Sequence, residues 1–160
     1  MVGFSLIFMR LRGDESLDAD RAGLAAFLAE RDLEVAPSND TIHHLSGPDG
    51  QLTFDGNWTD LHLSPLDQEQ HVSGGIWHAT LSEQECAFIY DLCVAGKMVI
   101  MNPQGPPEFV VPDRNHTAED LVEAVNDPQI AWVDNAEELA EALGGNFTAF
   151  VEYRDRVLGT

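Results

Sequence analysis

Residues 33–81 are written in short runs of β-forming side chains parted by turn signals, and this punctuation constrains the fold more than any other feature of the chain. The runs fall at 33–36, 42–46, 51–54, 59–63 and 75–81. Gly47-Pro48-Asp49-Gly50 reads as a hairpin turn between the second and third, and Asp55-Gly56-Asn57 as another. A meander is the simplest arrangement. Gly74 and Gly75 read as turn residues, because a phosphate cradle would seldom lack a nearby Lys or Arg.

Helical signals flank this region. Residues 4–11 form a mostly apolar run consistent with a buried strand. Residues 17–32 follow with Leu24, Ala25, Phe27 and Leu28 at helical spacing, and with Asp18 and Asp20 near the positive end of the helix dipole. Ser82 and Glu85 have capping-box spacing, and Cys86, Ile89, Leu92 and Cys93 recur on one face until Gly96. Strands at 98–101 and 108–111 enclose a Pro/Gly loop. Thr117 caps a short helix reaching Val125, a strand spans 129–133, and Asn135 starts a helix ending at Gly144-Gly145. The tail, with Phe147, Phe150, Val151, Arg154, Val157 and Leu158, fits helical spacing better than alternation.

No repeat or long linker divides the 160 residues, so one globular domain is expected. The expected fold class is α+β, an antiparallel-rich mixed sheet with helices packed mainly on one face; a mixed α/β sheet is the alternative. With 44% hydrophobic residues, including eight Phe and three Trp, the chain is not an acidic disordered tail. No apolar run approaches the roughly 18 residues of a membrane span, and residues 2–9 lack a basic leader and cleavage site. Cys86 and Cys93 lie about 10 Å apart along one helix, too far to bridge, which suits a reducing cytoplasm. Neither has a neighbouring Lys, Arg or His in sequence to make it a reactive thiolate.

The formal charge is −20, shared as −9 over residues 1–80 and −11 over 81–160. Residues 32–96 carry eleven acids and five of the six histidines but no Lys or Arg, and residues 115–145 carry eight acids and again no cation. Such surfaces repel phosphate, which argues against nucleic acid and anionic membrane as partners. Solvation of ordinary surface and salt adaptation both explain acidity of this kind. A basic protein partner explains it too, by long-range steering toward an acidic face. Glu119, Asp120, Glu137 and Glu138 have a second role near helix starts.

Catalytic and metal signatures are sparse. His43 and His44 are adjacent in a strand and point to opposite faces. Asp60 and His62 share a strand face, where they suit an acid–base dyad, part of a metal site or a hydrogen-bonded surface pair. No His-x-x-x-His, Cys-x-x-Cys, Gly-x-Ser-x-Gly or phosphate-binding loop occurs. No catalytic residue, metal or cofactor is therefore assigned. Trp77 and Trp132 lie in apolar runs and are expected in the core, whereas Trp58 sits in an acidic turn, either folded back on the sheet or exposed as a partner anchor.

The expected function is a non-enzymatic acidic protein that engages and neutralises a basic partner, with an immunity protein against a bacterial toxin as its specific form. The expected partner-binding residues are Trp58, Asp55, Asp60, Glu119, Asp120, Glu123, Glu137, Glu138 and Glu141. The alternative is a small-molecule enzyme or ligand-binding domain with Asp60, His62, His71 and His78 around a cleft.

Overall fold

In the computed structural model residues 3–35, 44–122 and 126–157 are described. Strand β1 (Leu6–Arg12) is central to a mixed, mostly antiparallel sheet. Its alternation decides the layering. Leu6 and Phe8 point into a large core, whereas Met9 and Leu11 belong to a smaller cluster on the opposite side. A short β2 (Glu15–Leu17) folds back on β1 after a turn at Gly13 with φ 66°, so Leu17 is a strand residue rather than the start of a helix.

Helix α1 (Arg21–Glu30) instead begins at Asp20, whose carboxylate accepts the Gly23 N–H at 3.1 Å. Asp18, just upstream, accepts the Arg21 guanidinium at 2.8 Å and the Val72 N–H at 2.9 Å. Arg21 also donates to three carbonyls, those of Leu66, Gln68 and Gln70, and so binds the start of α1 to the loop that joins the last two strands of the meander. Here one of the few cations is a structural clasp.

The meander is more broken than its sequence suggests. It comprises β3 (Glu34–Val35), β4 (Leu45–Gly47), β5 (Gly50–Gln51), β6 (Thr53–Phe54), β7 (Asn57–Trp58), β8 (His62–Leu63) and β9 (Gly74–Ile76). β3, β4 and β5 form one small sheet, β6 and β7 a separate hairpin, and β8 and β9 join the main sheet beside β1. Both turns fall as expected, at residues 48–49 and 55–56. Ala36, Ile42 and His43 of the expected strands lie outside the described residues, as do Val125 and Leu158.

Helix α2 (Glu83–Gly96) is capped by Ser82, whose hydroxyl accepts the Glu85 N–H at 3.2 Å, and buries Cys86, Ile89, Leu92 and Cys93. Strands β10 (Val99–Met101), β11 (Phe109–Pro112) and β12 (Ile130–Val133) complete the main sheet, whose order is β12-β11-β10-β1-β9-β8. Among the described strands only β11 and β12 run parallel. Their connection packs Leu121 into the small cluster with Leu11, Val99, Phe109 and Val111. Of the expected helix from Thr117, the described part is a 3-10 turn, Ala118–Asp120.

Helix α3 (Ala136–Val157) continues straight through Gly144 and Gly145, where a stop was expected. Two interior glycines cost about 1 kcal/mol each relative to alanine. Phe147 and Phe150 offset this by packing edge-on against Phe4, with ring centroids 5.3 and 5.8 Å away. Residues of α1, α2 and α3 all join the large core and none enters the small cluster, so the fold is α+β with the three helices on one face of the sheet.

Candidate functional site

The hairpin β6–β7 lifts Trp58 away from the core. Its turn uses Asp55 and Gly56 at φ 53° and 80°, and Phe54 anchors it by meeting the Phe88 ring of α2 at 5.3 Å. Gln84 adds a second anchor by accepting the Asp55 N–H at 2.5 Å. Trp58 is left 80% exposed, more than any other large hydrophobic among the described residues. Strand alternation explains this, because Trp58 and its cross-strand partner Thr53 share the exposed side of the hairpin, opposite the side on which Phe54 turns toward the helices.

The expected acids go to several places. Glu119 is exposed in the middle of the 3-10 turn, and Asp120 is half-buried there in a capping box: its carboxylate accepts the Thr117 N–H at 2.8 Å, and the Thr117 hydroxyl accepts its N–H at 3.3 Å. Both lie by Leu121, on the face of the sheet opposite the helices. Glu137 and Glu141 project from the outer side of α3. Glu138 closes the start of that helix: its carboxylate accepts the Asp134 N–H at 2.7 Å and its own N–H donates to Asn135 at 2.8 Å. Glu123 lies outside the described residues.

An acidic corner emerges that sequence separation concealed: the Asp113 N–H donates to the Val133 carbonyl at 3.0 Å, next to Asp134, whose own N–H donates to Glu138 at 2.7 Å. Tyr90 of α2 has its phenol pKa raised, first by burial and then by the charges of Asp113, Asp134, Asp91 and Glu138. These residues come from the ends of β11 and β12 and from two helices, and they converge because parallel β11 and β12 finish at the same end of the sheet. Arg31 meets Asp91 at 3.5 Å and balances one of them. Arg114, next to Asp113, is the only cation between residues 98 and 153.

Of the histidine constellation, part assembles. The Asp60 carboxylate accepts the N–H groups of Trp77 and His78, both at 3.1 Å, and its other oxygen meets His78 Nδ1 at 2.5 Å. His62 Nδ1 lies 3.2 Å from the Asp60 carbonyl, and its ring stacks on Trp77 at 4.5 Å. The same ring lies over Gly75, where a Cβ would stand 2.8 Å from the Leu6 carbonyl and 3.2 Å from the imidazole. Gly74 and Gly75 are thus strand residues of β9 that permit close approach, not turn residues. His71 is apart from this group, within electrostatic reach of Asp18.

Glu85 completes the loop's support. It is almost fully buried, and its carboxylate accepts the N–H groups of Thr80 and Leu81 at 2.9 and 2.6 Å. Burial raises its pKa, against the lowering effect of those hydrogen bonds. Two carboxylates therefore hold the backbone of residues 77–81, which makes Asp60 a structural residue whatever else it does. No group of three or more His, Cys, Asp or Glu placed to hold a metal ion occurs among the described residues.

Trp77 and Trp132, expected in the core, are 42% and 43% exposed. Trp77 follows β9 beyond Ile76, which is the core-facing residue. Trp132 pairs with Val111 on the face of the sheet that the helices leave uncovered. An apolar run shows that a strand is buried on one side, and does not show that both sides are.

No protein-family model matches the chain, and no curated protein or solved structure is significantly similar to it.

Proposed function

We propose that the chain is a non-enzymatic binding protein whose acidic surface engages and neutralises a basic protein partner, in the manner of an immunity protein that blocks a toxin. The observation that carries this is Trp58, held 80% exposed on a hairpin beside Asp55, since a large exposed ring on a braced support is a ready interface anchor. The acidic corner around Tyr90 and the exposed Glu137 and Glu141 supply the field that speeds encounter with a cationic surface. Buried free thiols at Cys86 and Cys93 agree with a reducing, cytoplasmic setting. Among the described residues no helix is long and apolar enough to cross a membrane.

Affinity capture at low salt with the intact chain, followed by kinetics on the purified partner, tests the proposal. Replacing Glu137, Glu138 and Glu141 by Gln should slow association, and Trp58→Ala should speed dissociation. Recovery of no basic protein overturns the proposal. An association rate indifferent to salt overturns its electrostatic part.

A second reading has one observation in its favour. The Asp60–His78 pair with His62 stacked nearby is a suitable acid–base group for a small-molecule ligand or substrate. A metabolite that copurifies with the chain and is lost on His78→Ala would support it over the first.

A further inference from the structure

Strand β12 ends the main sheet as a short edge strand, with Pro128 two residues upstream. Its four residues, Ile130, Ala131, Trp132 and Val133, include no Lys, no Pro and no other charge. The Phe109 N–H donates to the Gln129 carbonyl at 3.3 Å and the Asp113 N–H to the Val133 carbonyl at 3.0 Å. Odd-numbered residues thus turn their backbone groups toward β11, and Ile130 and Trp132 turn theirs outward. Among the described residues nothing pairs with that outer side.

The surroundings of this edge are acidic at both ends. Asp127 precedes it and is exposed, and Asp134 follows it directly into the corner formed with Asp113, Glu138 and Tyr90. Trp132 stands between them, 43% exposed on the face away from the helices. Outward N–H and C=O groups, an aromatic anchor and flanking negative charge together match one kind of occupant. We propose that β12 accepts an extended segment of the basic partner, apolar in its middle and flanked by Lys or Arg, as an added strand. Main-chain hydrogen bonds at Ile130 and Trp132 supply the pairing, the Trp132 ring covers an apolar side chain of the segment, and the end charges set its placement. A second copy of this chain fits poorly, since pairing β12 with itself brings the acids at the ends of one strand toward those of the other.

The inference rests on the basic-partner proposal but moves the grip to the sheet edge, so its test is independent of the Trp58 hairpin. The probe is a short peptide of alternating Val and Thr flanked at each end by two lysines, titrated calorimetrically into the full chain. Binding should weaken at least tenfold for the same peptide N-methylated on alternate amides, and for one flanked by glutamates. Ile130→Pro removes an outward N–H that β11 does not use, and Trp132→Lys adds a charge to the edge; both should keep the native circular dichroism and bind the lysine peptide at least tenfold more weakly. Absence of binding, equal binding of the methylated peptide, or unchanged affinity in both edge variants overturns the inference. A dimer in sedimentation that Trp132→Lys dissolves would assign the edge to a second copy and overturn it too. Loss of a captured basic protein on Trp58→Ala, with no effect of the edge variants, would leave the partner proposal standing and remove only the strand addition.

Discussion

Removing the Glu85 carboxylate should destabilise the fold by about 1–3 kcal/mol, and the structure shows why the figure is not larger. Glu85→Ala leaves two backbone donors without their acceptor, the N–H groups of Thr80 and Leu81. Thr80 is exposed and recovers water, whereas Leu81 is half-buried and held in the left-handed region at φ 54°, so the penalty of an orphaned donor falls chiefly on one group. The Ser82 cap remains, because its hydroxyl accepts the backbone N–H of residue 85 whatever the side chain. Glu85→Gln keeps an acceptor oxygen and should cost less than about 1 kcal/mol. The sign of its pH dependence follows from burial. A carboxyl whose folded pKa is raised binds more protons in the native state, so wild type loses stability from this group as pH rises from about 4.5 through the folded pKa. The glutamine variant escapes that loss. Urea unfolding of wild type and both variants at pH 4.5, 6 and 7.5 measures this, with the wild-type advantage over Glu85→Gln shrinking as pH rises. An advantage that grows with pH, or a Glu85→Ala cost near zero, would refute the idea that a buried, partly uncompensated carboxylate holds this loop.

His116 should give the opposite slope, in a window that opens downward from about pH 6.5. It is buried, its Nε2 accepts the Leu11 N–H at 3.1 Å, and burial lowers its pKa. Stability from this group is complete above about pH 6.5 and falls on acidification toward the folded pKa, by at most about 1.4 kcal/mol per pH unit; His116→Gln should flatten that limb of a urea titration. Trp58→Ala should change stability by less than about 0.5 kcal/mol in thermal or urea unfolding, because the ring is 80% exposed. Both thiols should resist alkylation in the native state at pH 8 and react fully in urea, since burial pushes the Cys86 thiol up to about 12 and raises that of Cys93 as well. Unfolding midpoints should rise between 10 mM and 300 mM sodium chloride as screening relieves self-repulsion at −20.

How much was legible before folding differs between elements. The α2 helix was readable from its sequence, because Ser82 and the Cys86–Ile89–Leu92–Cys93 stripe act over one or two helical turns, although the left-handed residue that closes it is Lys97 and not Gly96. The turns at residues 48–49 and 55–56 were likewise local, set by Gly and Asp chemistry. The α3 boundary was not, since Gly144-Gly145 would end an isolated helix, and what carries it on is the distant Phe4 ring packing on Phe147 and Phe150. Charge count and the absence of cations from residues 32–96 and 115–145 are properties of the sequence alone. Their arrangement belongs to the tertiary structure. Parallel pairing of β11 and β12 brings Asp113 and Asp134 to Tyr90, and helix placement on one face leaves Trp132 and Trp77 half-open. The division has one physical cause: capping, turn and periodicity signals act within a few residues, whereas exposure of a face and convergence of charges depend on which strands become neighbours and which face the helices cover.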